Sequence, residues 1–144
     1  MTRTAFVADI MSKHVLLAHI NQAFTEVCRI FFEMDIHHLP IVDEKRNLIG
    51  ILSTNDALKA LIYKAPFLSE DAKKNINQAI RLEDIMTPHP LTVKPHDSID
   101  KAAELLIYHK IQSLLVVNEG LLVGIITGKD LVNYFQKENK LEIL

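Results

Sequence analysis

The sequence is poor in the residues that build disulfide scaffolds, fibrous repeats and disordered segments. Its 144 residues include one cysteine, no tryptophan, four glycines and five prolines. The single cysteine, Cys28, excludes an internal disulfide framework and a cysteine-based zinc site, and it favours a reducing compartment. Because 49% of the residues are hydrophobic, the chain is neither collagen-like nor disordered. We therefore expect a globular protein with an ordinary hydrophobic core.

A surplus of basic residues is also missing. Lysine and arginine number 16 against 18 acidic residues, so the formal net charge is -2. Non-specific nucleic-acid binding depends on a basic excess, and we do not expect a nucleic-acid partner. No apolar run approaches the roughly 18 residues of a membrane span, and the N-terminus lacks the pattern of a signal peptide. These absences predict a small soluble protein of the cytoplasm with no membrane partner.

The sequence consists of two copies of one unit. The copies are offset by 75 residues and, after one residue is lost in a turn, by 74. They lie near residues 9–62 and 84–136, and the residue classes agree along the whole unit even where identities are few. The matching stretches are 9–11 with 84–86, 39–42 with 114–117, and 48–53 with 122–127.

Each copy predicts the order strand, helix, strand, strand, helix. In the first helix of each copy, apolar residues recur at i, i+3, i+4 and i+7, which is one face of a helix. Asn21 and Ser98 are the predicted N-caps of these helices. The apolar faces comprise Phe24, Val27, Cys28 and Phe31 in the first copy and Ile99, Ala102, Ala103 and Leu106 in the second. Turn-rich residues at 43–47 and 118–120 predict hairpins, and the second helices are expected at 55–63 and 129–137.

A three-stranded sheet of this size leaves one face uncovered, which is too little structure to be stable alone. We therefore predict one compact α+β module of tandem β-α-β-β-α repeats that pack sheet to sheet with pseudo-two-fold symmetry. The first repeat is assigned to residues 1–64 and the second to 82–144. Residues 65–81 form a linker, in which Ser69 caps a short helix at 70–80.

One motif recurs where a strand passes into a helix, with the form Gly-apolar-apolar-[Ser/Thr]-x-x-Asp. It runs from Gly50 to Asp56 and again from Gly124 to Asp130. On one interpretation it is a capping box that only closes off helix amides, with aspartate as a short variant of the usual glutamate. On the other, the glycine marks a close approach and the carboxylate accepts the hydroxyls of a ribose. Both interpretations remain open at this point, and duplication favours the second.

The repeated Asp-Ile-Met opening, the segment Ile-His-His-Leu-Pro-Ile-Val-Asp at 36–43 and both motif ends resemble a pair of CBS domains, known as a Bateman module. The resemblance covers nearly the whole chain. The chain is similar to small stand-alone bacterial CBS proteins of the acetoin-utilisation type. It implies the repeat fold deduced above. It also implies adenosine nucleotides bound in two clefts between the repeats.

Carried over by position, the resemblance assigns three groups of residues. Asp56 and Asp130 would accept ribose hydroxyls. The ribose or phosphate would be contacted by Ser53, Thr54, Thr127, Lys129, His37 and His38. The adenine pockets would be walled by Met11, His14, Leu16, Pro40, Met86, Thr87, His89 and Leu91.

The resemblance implies a regulatory protein that is not an enzyme and needs no cofactor. It would sense AMP, ADP, ATP or S-adenosylmethionine and modulate a separate protein target. The alternative is a ligand-free structural or dimerisation module with vestigial clefts. The intact aspartates favour the sensor. The alternative is favoured because the first opening lacks the prolines of the second, and because Gln112 and Ser113 replace the histidine pair.

Three further expectations concern assembly, metals and Cys28. A homodimer is expected through an apolar strip on the second helices, with Leu58, Leu61, Ile62, Leu131, Tyr134 and Phe135 as candidates. Adjacent histidines on a strand point to opposite faces, and the other five show no ligand spacing, so no metal site is predicted. Cys28 lies on an apolar helix face and should behave as a small buried hydrophobe.

Overall fold

The computed structural model describes residues 5–139. The chain divides into two compact units. The central unit is the continuous stretch Leu16–Pro90, and the terminal unit joins the chain up to Val15 to the chain from Leu91 onward. Both units contain helices and a sheet, so the predicted α+β class with tandem β-α-β-β-α repeats is confirmed.

The secondary structure alternates short strands with helices along the chain. The strands are β1 (Ala18–His19), β2 (His38–Val42), β3 (Leu48–Ser53), β4 (Thr87–Pro88), β5 (Thr92–Val93), β6 (Ser113–Asn118) and β7 (Leu121–Thr127). The α-helices are α1 (Val7–Ile10), α2 (Phe24–Met34), α3 (Thr54–Lys59), α4 (Glu70–Lys74), α5 (Ile76–Ala79), α6 (Leu82–Ile85), α7 (Ile99–His109) and α8 (Gly128–Asn139).

The sheet of the central unit has the order β1-β2-β3-β4. Strand β1 runs parallel to β2, and the remaining neighbours are antiparallel. The predicted apolar face of α2 buries Phe24, Val27 and Phe31 against the sheet residues Leu39 and Leu52. These side chains are at most 7% exposed, so the face predicted by helical periodicity is the core face.

The terminal unit repeats this plan with the sheet order β5-β6-β7. Helix α7 buries Ile99, Ala102 and Leu106 in a core that also contains Leu114 and Ile126. Ser98 caps α7 as predicted, because its hydroxyl accepts a hydrogen bond from the amide of Lys101 at 3.1 Å. Both predicted hairpins are present as β2–β3 and β6–β7.

The compact units are cut differently from the sequence repeats. Strand β4 follows the second Asp-Ile-Met but pairs with β3 of the central unit. Ser12 follows the first Asp-Ile-Met, and its amide and carbonyl pair with Ile125 on β7 of the terminal unit. Each opening segment, which follows Asp-Ile-Met, therefore pairs with the strand that carries the motif of the other repeat. The repeat boundaries 1–64, 65–81 and 82–144 describe the sequence periodicity, which is a different property.

The predicted N-cap at Asn21 is wrong. Helix α2 begins after Ala23, whose side chain makes no capping bond. The amide of Thr25 is instead capped by Asn77, whose Oδ1 accepts at 2.9 Å while its Nδ2 donates to the hydroxyl of Thr25 at 3.0 Å. Because Asn77 lies 52 residues away along the chain, no local sequence pattern could reveal this cap.

The predicted helices after the motifs and in the linker need correction. The helix expected at 55–63 is α3 followed by a π-helical turn at Ala60–Lys64 and a 3₁₀ turn at Ala65–Phe67. Pro66 in the 3₁₀ turn lacks an amide donor and cannot continue the α-helix. The linker helix expected at 70–80 is capped by Ser69 as predicted, but it breaks at Asn75 into α4 and α5. Within residues 5–139 no helix is long and apolar enough to cross a membrane.

Candidate functional site

The motif of the central unit closes the start of α3. The hydroxyl of Ser53 accepts a hydrogen bond from the amide of Asp56 at 3.0 Å, and Oδ2 of Asp56 accepts one from the amide of Ser53 at 2.9 Å. This reciprocal pair is a capping box, so that interpretation of the motif is correct as far as it goes. Within the described residues the box uses only Oδ2 of Asp56. The half-buried carboxylate therefore keeps Oδ1 for another donor.

The motif of the terminal unit has the same arrangement with one additional bond. The amide of Thr127 donates to Oδ2 of Asp130 at 2.8 Å, and the Thr127 hydroxyl lies 3.0 Å from the same oxygen. The amide of Asp130 approaches the hydroxyl at 3.2 Å. Here too the recorded bonds leave Oδ1 of the aspartate without a partner in the described part of the chain. Both aspartates thus present one carboxylate oxygen beside a helix start.

A backbone hydrogen bond ties each motif to the beginning of the preceding strand. The amide of Thr54 donates to the carbonyl of His37 at 2.9 Å, and the amide of Gly128 donates to the carbonyl of Gln112 at 3.2 Å. His37 and Gln112 therefore occupy matching positions next to the two motifs. The sequence offset of 75 predicted this correspondence, although it could not predict the bond itself.

Each unit gathers its predicted site residues from both repeats. The central unit contains Asp56, Ser53, Thr54, His37, His38, Pro40 and Leu16, together with Met86, Thr87 and His89 from the second opening segment. The terminal unit contains Asp130, Thr127, Lys129 and Leu91, together with Met11 and His14 from the first. Most of these side chains are exposed or half-buried, whereas Pro40 is buried in β2 opposite Ile51.

The two openings differ in backbone conformation. His89 stands between Pro88 and Pro90 and has a φ of 49°, in the left-handed region that L-residues seldom occupy. Its amide donates to the carbonyl of Ile49 on β3 at 3.3 Å. The corresponding His14 follows Lys13 and has no positive φ. The proline pattern that distinguishes the openings in sequence therefore corresponds to a real difference in shape.

The histidine pair lies in two environments. His38 begins β2 opposite Ser53 and is half-buried, whereas His37 is exposed. Burial lowers the pKa of His38 below its ordinary 6.5, the charge of neighbouring His37 lowers it further, and Asp56 partly offsets both effects. His38 therefore favours its neutral form in the ligand-free protein.

An open groove of about 630 Å³ adjoins the site in the central unit. Its apolar lining includes Phe31, Phe32 and Leu58. Its polar lining residues are Asp35, His37 and Thr54. No sequence pattern marks this groove, because it arises from the packing of α2 against α3. Cys28 also lines it and packs against the core of the central unit, so the cysteine expected to be a buried hydrophobe is only partly buried. Partial burial raises the pKa of the Cys28 thiol.

The predicted apolar strip is only partly exposed. Leu58, Leu61, Ile62 and Phe135 are exposed as expected. Leu131 is wrongly assigned, since it is 7% exposed and belongs to the core of the terminal unit, and Tyr134 packs against the same core. Periodicity missed other strongly exposed apolar side chains on the α-helices, among them Phe32, Ile107, Tyr108 and Val132. Among residues 5–139, no three histidine, cysteine or acidic side chains are close enough to hold a metal ion.

Comparison with known families identifies this arrangement as a pair of CBS domains. The family model for the CBS domain matches residues 7–63 and 82–137, which are the two sequence repeats. The chain therefore belongs to the CBS-domain family, and the resemblance noted from the motifs is confirmed.

Solved structures of the same fold include proteins crystallised with adenosine compounds. The CBS domain pair of protein MJ0100, in complex with 5′-methylthioadenosine and S-adenosyl-L-methionine, is 30% identical with a TM-score of 0.77 and covers 94% of this chain and 99% of that one. CBSX2 in complex with AMP is 25% identical with a TM-score of 0.78 and covers 93% and 98%. A putative acetoin utilization protein from Vibrio cholerae is 27% identical with a TM-score of 0.79 and covers 99% of both chains.

Sequence relatives include longer proteins that contain the same module. The chain is 34% identical over 130 residues to the L-aspartate semialdehyde sulfurtransferase of Methanocaldococcus jannaschii. The match covers 90% of this chain but only 23% of that enzyme. The chain thus spans about a quarter of that curated relative, and the matched portion is the CBS pair.

Proposed function

We propose that this protein is a regulatory module that binds adenosine nucleotides of the AMP, ADP and ATP type and modulates a partner protein. S-Adenosylmethionine is a further candidate ligand. The observation that supports the proposal is the repeated aspartate with one carboxylate oxygen outside its capping box. A ribose offers two adjacent hydroxyl donors, and a carboxylate beside a helix start is a suitable acceptor for them.

The composition of each unit supports one ligand site per unit. In the central unit, Asp56 and the segment at Met86–His89 belong to the same compact body, and in the terminal unit Asp130 accompanies Met11 and His14. Related CBS pairs bind AMP or S-adenosylmethionine, so adenosine is the shared chemistry. The opening segments of the two repeats would contact adenine largely through their backbone.

The two sites should differ at the phosphate end. The central unit offers His37 and His38, which carry charge only when protonated. The terminal unit has Gln112 and Ser113 at those positions, and Lys129 in the first turn of α8 is its candidate cation. We expect phosphate-bearing ligands to distinguish the two sites, and adenosine to distinguish them less.

Thermal unfolding with AMP, ADP, ATP, NAD, S-adenosylmethionine and cyclic dinucleotides tests the proposal. A ligand at 100 times its dissociation constant adds about 2.7 kcal/mol to the stability of the state that binds it. Calorimetry on Asp56→Asn and Asp130→Asn then tests the ribose role, because asparagine keeps an oxygen for the capping box but loses the charge. Each single variant should lose one site and the double variant both.

The opposite results are equally clear. Wild-type binding by both single variants and the double variant would reject the ribose role. Loss of folding in these variants, measured by circular dichroism, would indicate that capping is the whole role of the aspartates. Absence of binding by every compound would favour the alternative of a structural or dimerisation module, which the exposed apolar side chains of α3 and α8 support.

A further inference from the structure

Each glycine that opens a motif faces a methionine sulfur. A Cβ built on Gly50 would overlap Sδ of Met86. A Cβ on Gly124 would lie 2.6 Å from Sδ of Met11 and 2.9 Å from the carbonyl oxygen of Ser12. Neither glycine has a positive φ, so turn geometry does not require it. At Gly124 the backbone carbonyl of Ser12 leaves no room for a side chain, whereas at Gly50 the obstructing atoms belong to the flexible side chain of Met86.

These contacts join two motifs that look independent in the sequence. Met86 ends the second Asp-Ile-Met, and Gly50 opens the first Gly-x-x-Ser-x-x-Asp. The same relation holds with the repeats exchanged, since Met11 ends the first opening and Gly124 begins the second motif. A methionine from one repeat is therefore matched to a glycine from the other in both units.

Backbone hydrogen bonds alone attach the opening segments weakly. Strand β4 has two residues, and Pro88, which lies opposite Gly50, has no amide to donate. The nearby bond from His89 to Ile49 is long, at 3.3 Å. In the terminal unit the attachment is an isolated bridge, in which Ser12 and Ile125 exchange bonds of 2.9 and 3.0 Å.

Side-chain packing supplements these few bonds. Met86 and Met11 are half-buried and pack against the cores of the central and terminal units, respectively. A thioether is flexible and polarizable, so it can fill the narrow space above a glycine. Because each glycine lacks a Cβ, the sulfur can approach the strand backbone closely at that residue. This contact adds side-chain packing to the few backbone hydrogen bonds between the opening segment and β3 or β7.

We propose that Met11 and Met86 are positioning residues of the two adenosine sites. Each holds an opening segment against the strand whose end bears the ribose aspartate. Gly50 precedes Ser53 by three residues, about 10 Å along a strand, so the thioether acts through the segment it places and not through the capping box. This inference rests on the proposed function, because it concerns how the same sites are assembled.

Methionine methyl NMR provides a direct test. The chain has only four methionines, Met1, Met11, Met34 and Met86. Protein carrying ¹³C-methyl methionine would be titrated with AMP while calorimetry gives the affinity. The Met86 or Met11 methyl should shift and saturate with binding, whereas Met34, exposed at the end of α2, should not. Asp56→Asn should abolish the shift of Met86 alone, and Asp130→Asn that of Met11 alone.

A size exchange tests the contact itself. Gly50→Ala should weaken AMP binding at the central site, measured by calorimetry, because the Met86 side chain must move to admit the new Cβ. Met86→Ala alone should also weaken AMP binding, since the segment then loses the thioether that holds it, and the two losses should not add in the double variant because both changes break one contact. In the terminal unit Gly124→Ala should weaken AMP binding more, because the backbone carbonyl of Ser12 also obstructs the new Cβ. Met34→Ala, at an exposed methionine of α2, is the matched control.

The outcomes separate the inference from the function on which it rests. AMP binding with unmoved Met11 and Met86 methyls would overturn the inference and leave the nucleotide site intact. Lower thermal stability in Gly50→Ala with unchanged AMP affinity would do the same, because the contact would then be purely structural. Failure of every adenosine compound to bind the wild-type protein would overturn both. Methyl shifts together with losses that do not add in the double variant support the positioning role.

Discussion

The environment of His38 makes the stability of the ligand-free protein depend on pH. Its pKa is lowered chiefly by burial, so the folded chain binds this proton less tightly than the unfolded chain does. The contribution is fully present above pH 6.5 and is lost as the pH falls through the lowered value. We expect urea unfolding midpoints to fall from pH 7.5 to pH 5, and His38→Gln to reduce that fall.

Two features of the chain allow the contribution of His38 to be separated from those of other titrating groups. The pKa values of Asp43 and Asp97 are also lowered, mainly by backbone hydrogen bonds from Asn47 and Lys94, but their contributions are lost only below pH 3.8. These two carboxylates therefore do not contribute to the change in stability between pH 7.5 and pH 5. His109→Gln, at an exposed histidine of α7, is the matched control. If both variants show the same pH dependence as the wild type, His38 is not responsible for it.

A bound phosphate should reverse the preference of His38 for its neutral form. The anion stabilises imidazolium through a charge-assisted hydrogen bond, so AMP or ATP should bind more tightly at pH 6 than at pH 8. Adenosine should show no such change. The second ionisation of a phosphate, near pH 6, opposes the effect, and comparison with His37→Gln and His38→Gln removes it. Equal pH slopes for adenosine and its phosphates would place both histidines outside the site.

Residue types at matched positions were predictable because the sequence contains its own comparison. The offset of 75 aligned His37 with Gln112, the offset of 74 aligned Asp56 with Asp130, and both pairs occupy corresponding places in the two units. What Gly50 and Gly124 contact was not predictable. A glycine indicates that something approaches closely, but nothing local distinguishes a ligand from a methionine far along the chain.

At the scale of elements, the cap of α2 makes a stability prediction that contradicts the sequence pattern. Asn77→Ala removes the acceptor for the Thr25 amide and should cost about 1 kcal/mol. Asn21→Ala is the matched control, because within the described residues its side chain makes one hydrogen bond, of 3.4 Å to Glu44, and does not cap α2. Urea unfolding of the two variants decides between them. A larger loss of unfolding free energy in Asn21→Ala than in Asn77→Ala would mean that Asn21 caps α2.

Elements with a regular apolar period were predictable, and elements defined by distant packing were not. Helix α7 matches its pattern and cap, whereas α1 and α6 are single turns of four residues that the period could not reveal. Strand β4 consists of Thr87 and Pro88, and both residues are exposed. Its place in a sheet depends on β3, so no alternation of apolar and polar residues marks it.

At the scale of the whole molecule, the exposed apolar side chains make self-association testable. Phe32 is 89% exposed, and Leu58, Leu61 and Ile62 are each exposed by 44% or more. Large apolar side chains of this kind mark surfaces that associate, and a closed two-fold pair is the commonest oligomer. We expect a homodimer by light scattering, and Leu61→Asp should shift it toward monomer. The same substitution at Leu121, which is half-exposed on β7, is the control. A mass near 16 kDa at micromolar concentration would reject a stable homodimer.

The division into units predicts which fragment of the chain folds. The central unit is continuous from Leu16 to Pro90 and contains its complete core, including Ile80 and Leu82, which are each 1% exposed. Fragment 16–90 should therefore give a cooperative urea transition by circular dichroism, although with low stability at this size. Fragment 1–64 follows the sequence repeat but lacks β4, Ile80 and Leu82, and should not fold. Because both fragments contain α2, β2, β3 and α3, the comparison tests the contribution of residues 65–90 to folding. A cooperative transition in 1–64, with none in 16–90, would mean that the repeat and not the compact unit is the folding unit.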